Sequence, residues 1–224
     1  YSSEGLDSQE IFDYDSNNNL IKRDLLTSSG ENNQSFEFEF DSEGKLITEL
    51  LENSDGHHIG SKEYYPDGKL FRSTLIDPVL TRNEIMESKY YQYDSNGNES
   101  YCYELLNSPG GGVVLRFIVR SNYDDNGNLI VKKTYYFSKD NYPDWSEDKE
   151  LKELIFKFRS NEKSFIEPKC FENEILNGKP FQPRDKVIYK YDSYGNNISS
   201  VVEWLGLVYR NFFEYDQNNL KIKF

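Results

Sequence analysis

The chain is expected to be all-β, an antiparallel meander of about eight β-hairpin repeats forming a curled or rolled sheet with little helix. Three observations predict this. The 224 residues include no alanine, but 18 Tyr, 15 Phe, 22 Asn and 14 Gly. Alanine is the best helix former, aromatic side chains suit a pleated and half-buried surface, and Asn and Gly supply the positive φ of tight turns. A short unit also recurs along the chain, and the residues leading into it alternate apolar with polar, which is the period of a strand.

The unit is clearest as Tyr123-Asp124-Asp125-Asn126-Gly127-Asn128-Leu129. It returns as Tyr14-Asp15-Ser16-Asn17-Asn18-Asn19-Leu20 and Phe40-Asp41-Ser42-Glu43-Gly44-Lys45-Leu46, and as Tyr93 to Asn98 and Tyr191 to Asn196. Shorter forms begin at Tyr65 and Tyr215. The aromatic anchors at 14, 40, 65, 93, 123, 191 and 215 are spaced by 26, 25, 28, 30, 68 and 24 residues. The long gap is about twice the others, so a degenerate unit is expected at Phe158, completing eight anchors in one domain over residues 1–224.

Each unit should be a hairpin. Phe36, Phe38 and Phe40 share a face opposite Glu37 and Glu39, and Phe12/Tyr14, Tyr91/Tyr93, Phe156/Phe158, Tyr189/Tyr191 and Phe213/Tyr215 repeat the alternation. The Asp after the anchor can accept backbone N–H bonds in an Asx-turn, and the Asn-Gly or Asp-Gly beyond it takes the left-handed conformation of a hairpin loop. A second, less regular turn should join the units at Thr27–Asn33, Glu52–His58, Asn107–Gly112 and Asn177–Pro183. Asp77–Asn83 has room for one helical turn. In Ser138–Lys149, Asp144-Trp145-Ser146-Glu147 is spaced like a capping box ahead of Lys149-Glu150-Leu151-Lys152, which marks a place for a short helix. An open sheet of sixteen strands would span roughly 75 Å, and sheets that wide curl, split or close.

Composition bounds the function. The net charge of −13 repels phosphate backbones and anionic bilayers, so no nucleic-acid partner is expected. The mean hydropathy is −0.81, and no apolar run is long enough for a membrane-spanning helix. Strands this short, whose anchor faces extend back to Glu10, Glu63 and Lys89, argue against a membrane barrel. The chain begins without Met or a signal-like start, so a processed or trimmed N-terminus is expected.

The Tyr-Asp-x-x-Gly-Asn/Lys-Leu unit resembles the YD repeat of the RHS family, known from large bacterial toxin shells and animal teneurins. The family commonly has Arg after the Gly, where this chain has Asn98, Asn128, Asn196, Lys45 or Lys69. The resemblance lies in the hairpin unit, and a toxin-delivery role does not carry over. The chain is more similar to small secreted or lipid-anchored YD-repeat proteins of Bacteroidetes-type bacteria. That implies a secreted, periplasmic or outer-surface location, with a lipid anchor on the precursor. Tyr64-Tyr65-Pro66-Asp67-Gly68-Lys69-Leu70 also resembles the repeats of MORN-like antitoxins.

Candidate chemistry is sparse. The repeated Asp15, Asp41, Asp94, Asp124, Asp192 and Asp216 could form a ligand row, but a hairpin needs the same oxygen as a turn cap. Asp13 to Asp24 only partly matches a calcium loop, lacking its Gly and final Glu. His57 and His58 are the only histidines and have no Cys near in sequence, so no metal is expected. Cys102 and Cys170 fall on return strands of units four and six, about 19 Å apart in a meander, so no disulfide is expected. Gly110-Gly111-Gly112 follows Ser108-Pro109 as a flexible connection and not a phosphate cradle. Exposed aromatics are the best ligand-binding candidates: Tyr142 and Trp145 in the longest connection, and Trp204 beside the turn at Gly206. Their plain alternative is to plug an end or joint of the sheet. The expected function is a non-enzymatic scaffold without a cofactor that binds a glycan or a protein. A cytosolic antitoxin or immunity protein and a glycosidase-like hydrolase are the alternatives.

Overall fold

The structure, a computed structural model, describes residues 8–76, 85–107, 113–137, 149–160, 163, 175–176, 179–180, 182–204, 206–215 and 221–223. The elements in order are β1 (Ser8–Tyr14), β2 (Leu20–Thr27), β3 (Asn32–Phe40), β4 (Leu46–Asn53), β5 (His58–Tyr64), β6 (Leu70–Ile76), β7 (Ile85–Tyr93), β8 (Glu99–Asn107), β9 (Val113–Tyr123), β10 (Leu129–Tyr136), α1 (Lys149–Arg159), β11 (Ile175–Leu176), β12 (Lys179–Pro180), β13 (Asp185–Tyr191), β14 (Asn197–Trp204), β15 (Leu207–Phe212), β16 (Glu214–Tyr215) and β17 (Lys221–Lys223). A 13-stranded sheet pairs β1 to β10 in chain order and then β13, β14 and β15, while β11/β12 and β16/β17 form separate two-stranded ladders. The all-β antiparallel meander is therefore as the repeat predicts. Among the described residues no helix is long and apolar enough to cross a membrane.

The recurring turn is a type I turn closed by a left-handed residue. In Tyr93–Glu99 the Gly97 N–H donates to Asp94 O at 3.0 Å and the Asp94 N–H to Asn98 O at 2.9 Å. Gly97 has φ 87°, and the matching seat in the first unit is filled by Asn18 at φ 66°. Gly is favoured there because a Cβ crowds the carbonyl in that conformation, and Asn is among the residues that tolerate it. The extra residue bulges the strand and adds twist, and the ladders shift register there, as between Asp13 and Tyr14 and between Glu39 and Phe40.

Two details differ from expectation. The joining turns are not less regular where they are described. Thr27 and Asn53 take the Asp seat: each donates its N–H four residues on, to Glu31 O and His57 O, and Gly30 and Gly56 close the turns. The shortened third unit is anchored by Tyr64, which pairs with Leu70. Tyr65 sits where the other units have Asp, its N–H donating to Lys69 O at 2.8 Å.

The unit expected at Phe158 does not exist as a hairpin, because Lys149–Arg159 is helical. Phe156 is 71% exposed and Phe158 is 1% exposed. On a strand those two would share a face. On a helix they point apart, and Phe158 instead joins Leu154 one turn back. The Lys-Glu-Leu-Lys-Glu-Leu run is built of good helix formers, which overrides the short aromatic alternation. The helix sits where Lys149-Glu150-Leu151-Lys152 suggested one. The proposed cap at Asp144–Glu147 lies outside the described residues, as does Cys170. With no hairpin at Phe158, Cys170 is not on a return strand of that unit, and the meander spacing sets no distance between it and Cys102.

The chain divides into two compact units, Tyr1–Tyr90 with Leu106–Val114 and Tyr91–Leu105 with Leu115–Phe224. The first has a thin aromatic core. Phe71 is buried and meets the Tyr65 and Tyr90 rings edge-on at 5.2 and 5.8 Å. In the second unit α1 adds a layer: Leu154 and Phe158 are buried, and the Phe158 ring packs 4.8 Å from that of Tyr103. Tyr101, Leu115, Ile118, Tyr135 and Phe137 complete this core. Of the hairpin anchors, Phe40, Tyr65, Tyr93, Tyr123, Tyr191 and Tyr215 are partly buried, and Tyr14 is exposed.

Candidate functional site

The repeat places its chemistry at the turn ends, and most of that chemistry is spent on the turn itself. Asp94 Oδ1 accepts the N–H groups of Asn96 and Asn98, both at 2.9 Å, while Oδ2 accepts the Asn98 amide at 3.1 Å. Asp15, Asp124 and Asp192 make the same set of bonds with Asn19, Asn128 and Asn196. Bonds that favour the ionised form hold these carboxyls below their ordinary 3.8; the chief cause is the Asn side-chain amide for Asp15, Asp124 and Asp192, and the Asn98 backbone N–H for Asp94. Asp41 likewise accepts the N–H groups of Glu43 and Lys45, so these members of the acidic row cap their turns, while Asp216 lies outside the described residues.

The anchor hydroxyls link one unit to the one before. Tyr123 donates to Glu99 O at 2.9 Å, Tyr191 to Leu129 O at 2.9 Å and Tyr215 to Asn197 O at 3.0 Å. Each acceptor is the first residue of the preceding return strand. The Asn side chain of one turn also lies against the glycine of the next: a Cβ on Gly127 would stand 3.6 Å from Asn98 Oδ1, and one on Gly195 would stand 3.8 Å from Asn128 Oδ1.

One turn departs from this economy. Tyr194 stands where the other units carry Asn17, Glu43, Asn96 or Asn126, and it is 80% exposed. It borders a groove of about 690 Å³ between the Asp124–Asn128 and Asp192–Asn196 turns, floored by Tyr189, Ile130 and Ile198 and edged by Asn126 and Ser193. The residues shared by the repeats do not single out Tyr194. Aligning the variable turn positions would have isolated it as the one aromatic among polar residues.

A second concavity, about 380 Å³, lies at the end of the last long hairpin. Lys133, Arg184, Lys186 and Glu203 line it, with Leu207 and Val208. Lys186 pairs with Glu203 at 3.5 Å, and the Arg184 guanidinium lies 4.6 Å over the Tyr136 ring. Trp204 is exposed at the adjoining turn, opposite Leu207 in the ladder. Of the aromatic candidates it alone can be placed, since Tyr142 and Trp145 lie outside the described residues.

The His57 N–H caps onto Asn53 Oδ1 at 3.0 Å, and His58 Nε2 approaches Glu52 at 3.5 Å. Asp24, the last member of the calcium-loop match, accepts from Ser35 Oγ at 2.6 Å and from Lys22 at 3.0 Å within the strands. Among the described residues no His, Cys, Asp and Glu group is arranged to hold a metal ion.

No family model matches the chain, and no curated protein matches it. Among solved structures it is similar to TcdB2-TccC3 without its hypervariable C-terminal region, at 13% identity and a TM-score of 0.44 over 96% of this chain and 10% of that one. It is also similar to a porin-like protein from Bacteroides uniformis, at 11% identity and a TM-score of 0.31 over 91% and 87% of the two chains. A DUF3836 family protein from Parabacteroides distasonis matches at 16% identity and a TM-score of 0.25 over 47% and 74%. The chain thus spans about a tenth of the length of the TcdB2-TccC3 chain.

Proposed function

We propose that this chain is a non-catalytic repeat scaffold, secreted or held at a bacterial surface, that binds a glycan in the groove beside Tyr194. The observation that carries the proposal is Tyr194 itself, a ring exposed at a turn whose counterparts are polar. A tyrosine offers a large amphipathic face at the cost of ordering two torsions. Behind it the groove presents amide, hydroxyl and carboxylate groups above apolar side chains, a mixture suited to a sugar's ring face and its hydroxyls.

The carboxylates favour binding over hydrolysis. A glycosidase needs one carboxyl with a raised pKa to donate a proton. In this groove Asp124 and Asp192 are held below their ordinary value and bonded to their own turns. Glu99 is pushed upward, by burial, but it does not line the groove. The surface location rests on the resemblance to small secreted and lipid-anchored YD-repeat proteins.

Isothermal titration against neutral and uronate oligosaccharides tests the proposal. Binding should occur and should be lost in Tyr194→Ala with the melting temperature unchanged. Binding that is indifferent to Tyr194, or no binding across the panel, would reject the site. Turnover abolished by changing a single carboxylate would reject the non-catalytic assignment.

A further inference from the structure

The concavity at the end of the last long hairpin departs from the charge pairing found elsewhere in the sheet. In the first unit Lys62 stands directly across from Glu49 and Arg72 directly across from Glu63, and each forms the ion pair. At this end Lys133 stands directly across from Lys186. Like charges so placed destabilise the ladder. Arg184, two residues before Lys186, lines the same concavity. The three cations meet one carboxylate, Glu203, which stands across from Lys186 and approaches its ammonium at 3.5 Å. Three positive side chains against one negative leave a local surplus of two, in a chain of net charge −13.

The two lysines sit inside the sheet. Lys133 lies on β10 and Lys186 on β13, and each of those strands has a neighbour on both sides. Side chains directly across a ladder start about 5 Å apart, and those two apart on one strand about 7 Å. Three flexible or forked head groups can therefore converge on a single ligand group. The Arg184 guanidinium already lies 4.6 Å over the Tyr136 ring, which limits its freedom before any ligand arrives. Its donors form a planar fork that matches two oxygens of a phosphate or carboxylate. Pro183, Leu207 and Val208 add an apolar wall.

We propose that this concavity binds a small phosphate monoester, its phosphoryl group among Lys133, Arg184 and Lys186 and its esterified body against Pro183, Leu207 and Val208. The charge balance selects this class. A phosphate monoester carries about −1.5 to −2 at pH 7 and matches the surplus, whereas a carboxylate would cancel half of it. The volume of about 380 Å³ lies toward the lower end for small-molecule sites, which suits a compact ester. The acidic remainder of the chain acts from farther away and is screened beyond about 8 Å at physiological salt, so the nearby cations set the local field. The site is separate from the groove beside Tyr194, which is lined by Tyr191 and Ile198 at the opposite end of β13 and β14.

Isothermal titration with phenyl phosphate, phenyl sulfate and inorganic phosphate tests the proposal at neutral pH. Phenyl phosphate should bind more tightly than phenyl sulfate, which has its shape but a single charge, and more tightly than inorganic phosphate, which lacks the apolar body. Arg184→Gln and Lys133→Gln should each weaken it by about tenfold or more, as expected for a lost charge-assisted bond. Lys133→Gln should also leave the melting temperature unchanged or raised, because it removes the like-charge pair. Glu203→Gln should tighten binding, a gain that misfolding cannot imitate, and Tyr194→Ala should leave it unaltered. Phenyl sulfate binding as tightly as phenyl phosphate refutes the charge match, and inorganic phosphate binding as tightly refutes the ester. No binding of phenyl phosphate, or binding indifferent to both Arg184→Gln and Glu203→Gln, refutes the site.

Discussion

Replacing Tyr123 by Phe removes one oxygen and tests whether the anchor row holds the array together. In the structure the Tyr123 hydroxyl donates to Glu99 O at 2.9 Å, tying β9 to the start of β8. A neutral hydrogen bond of this kind contributes about 0.5–1.5 kcal/mol net. For a chain of this size each kcal/mol moves the melting temperature by roughly 2–4 °C. Tyr123→Phe should therefore lower it by a few degrees while ring packing is kept. Tyr191→Phe removes an equal bond to Leu129 O. The double variant should lose about the sum, because the two bonds share no partner. Tyr215→Phe breaks a comparable bond to Asn197 O and should cost a similar amount. Calorimetry with amide exchange at Glu99 and Leu129 measures both the global and the local loss. If Tyr123→Phe melts with the unaltered protein and exchange nearby is unchanged, the hydroxyls do not carry structure, and a binding row becomes the better account.

Phe158→Ala should destabilise the second unit by about 3–5 kcal/mol, because the ring is fully buried against Tyr103, whereas Phe156→Ala should be nearly silent; urea titration separates them. Gly127→Ala forces a Cβ into φ 80° and should cost about 1–2 kcal/mol in the same assay. The carboxyls of Asp15, Asp94, Asp124 and Asp192 lie lower in the folded chain than their ordinary 3.8, so their contribution is complete above that value and is lost as the pH falls through the folded values. Melting temperatures should accordingly drop below about pH 4, and less steeply in Asp124→Asn. Burial pushes the Tyr64 and Tyr65 phenols up to about 12, so their stabilisation holds below about pH 10 and disappears as the pH rises toward 12, as a spectrophotometric tyrosine titration alongside melting would record.

The hairpins were legible because their signals are local. Asp94, Gly97 and Asn98 carry the turn within five residues, and Phe36, Phe38 and Phe40 carry the strand within another five. The helix was legible only in its first turn. Phe156 and Phe158 satisfy period 2, Leu154 and Phe158 satisfy period 3.6, and only burial beneath Tyr103 decides between them. The offset at Tyr64 was hidden because two tyrosines adjoin and Pro66 interrupts the pattern. The exposure of Trp204 was legible from its place beside the turn at Gly206. The cations beside it were not, since Lys133, Arg184 and Lys186 are scattered in sequence and are gathered by strand register. Tyr194 was within reach of the repeat alignment and needed attention to what varies rather than to what recurs.

The order of pairing also governs how the array can assemble in time. Most neighbouring strands are joined by a turn that closes over about five residues, as from Asp94 to Asn98. The β10–β13 ladder instead joins Thr134 to Asp185 across about 50 residues. Chain closure scales with the logarithm of loop length, so this step carries an entropic penalty about 2 kcal/mol larger than a tight hairpin. The hairpins on either side can zip independently, and β13–β14–β15 should then wait for the intervening segment before it docks. The molecule would thus have one slow seam among fast ones, and pulse-labelled exchange should find β10 protected on its β9 side before its β13 side.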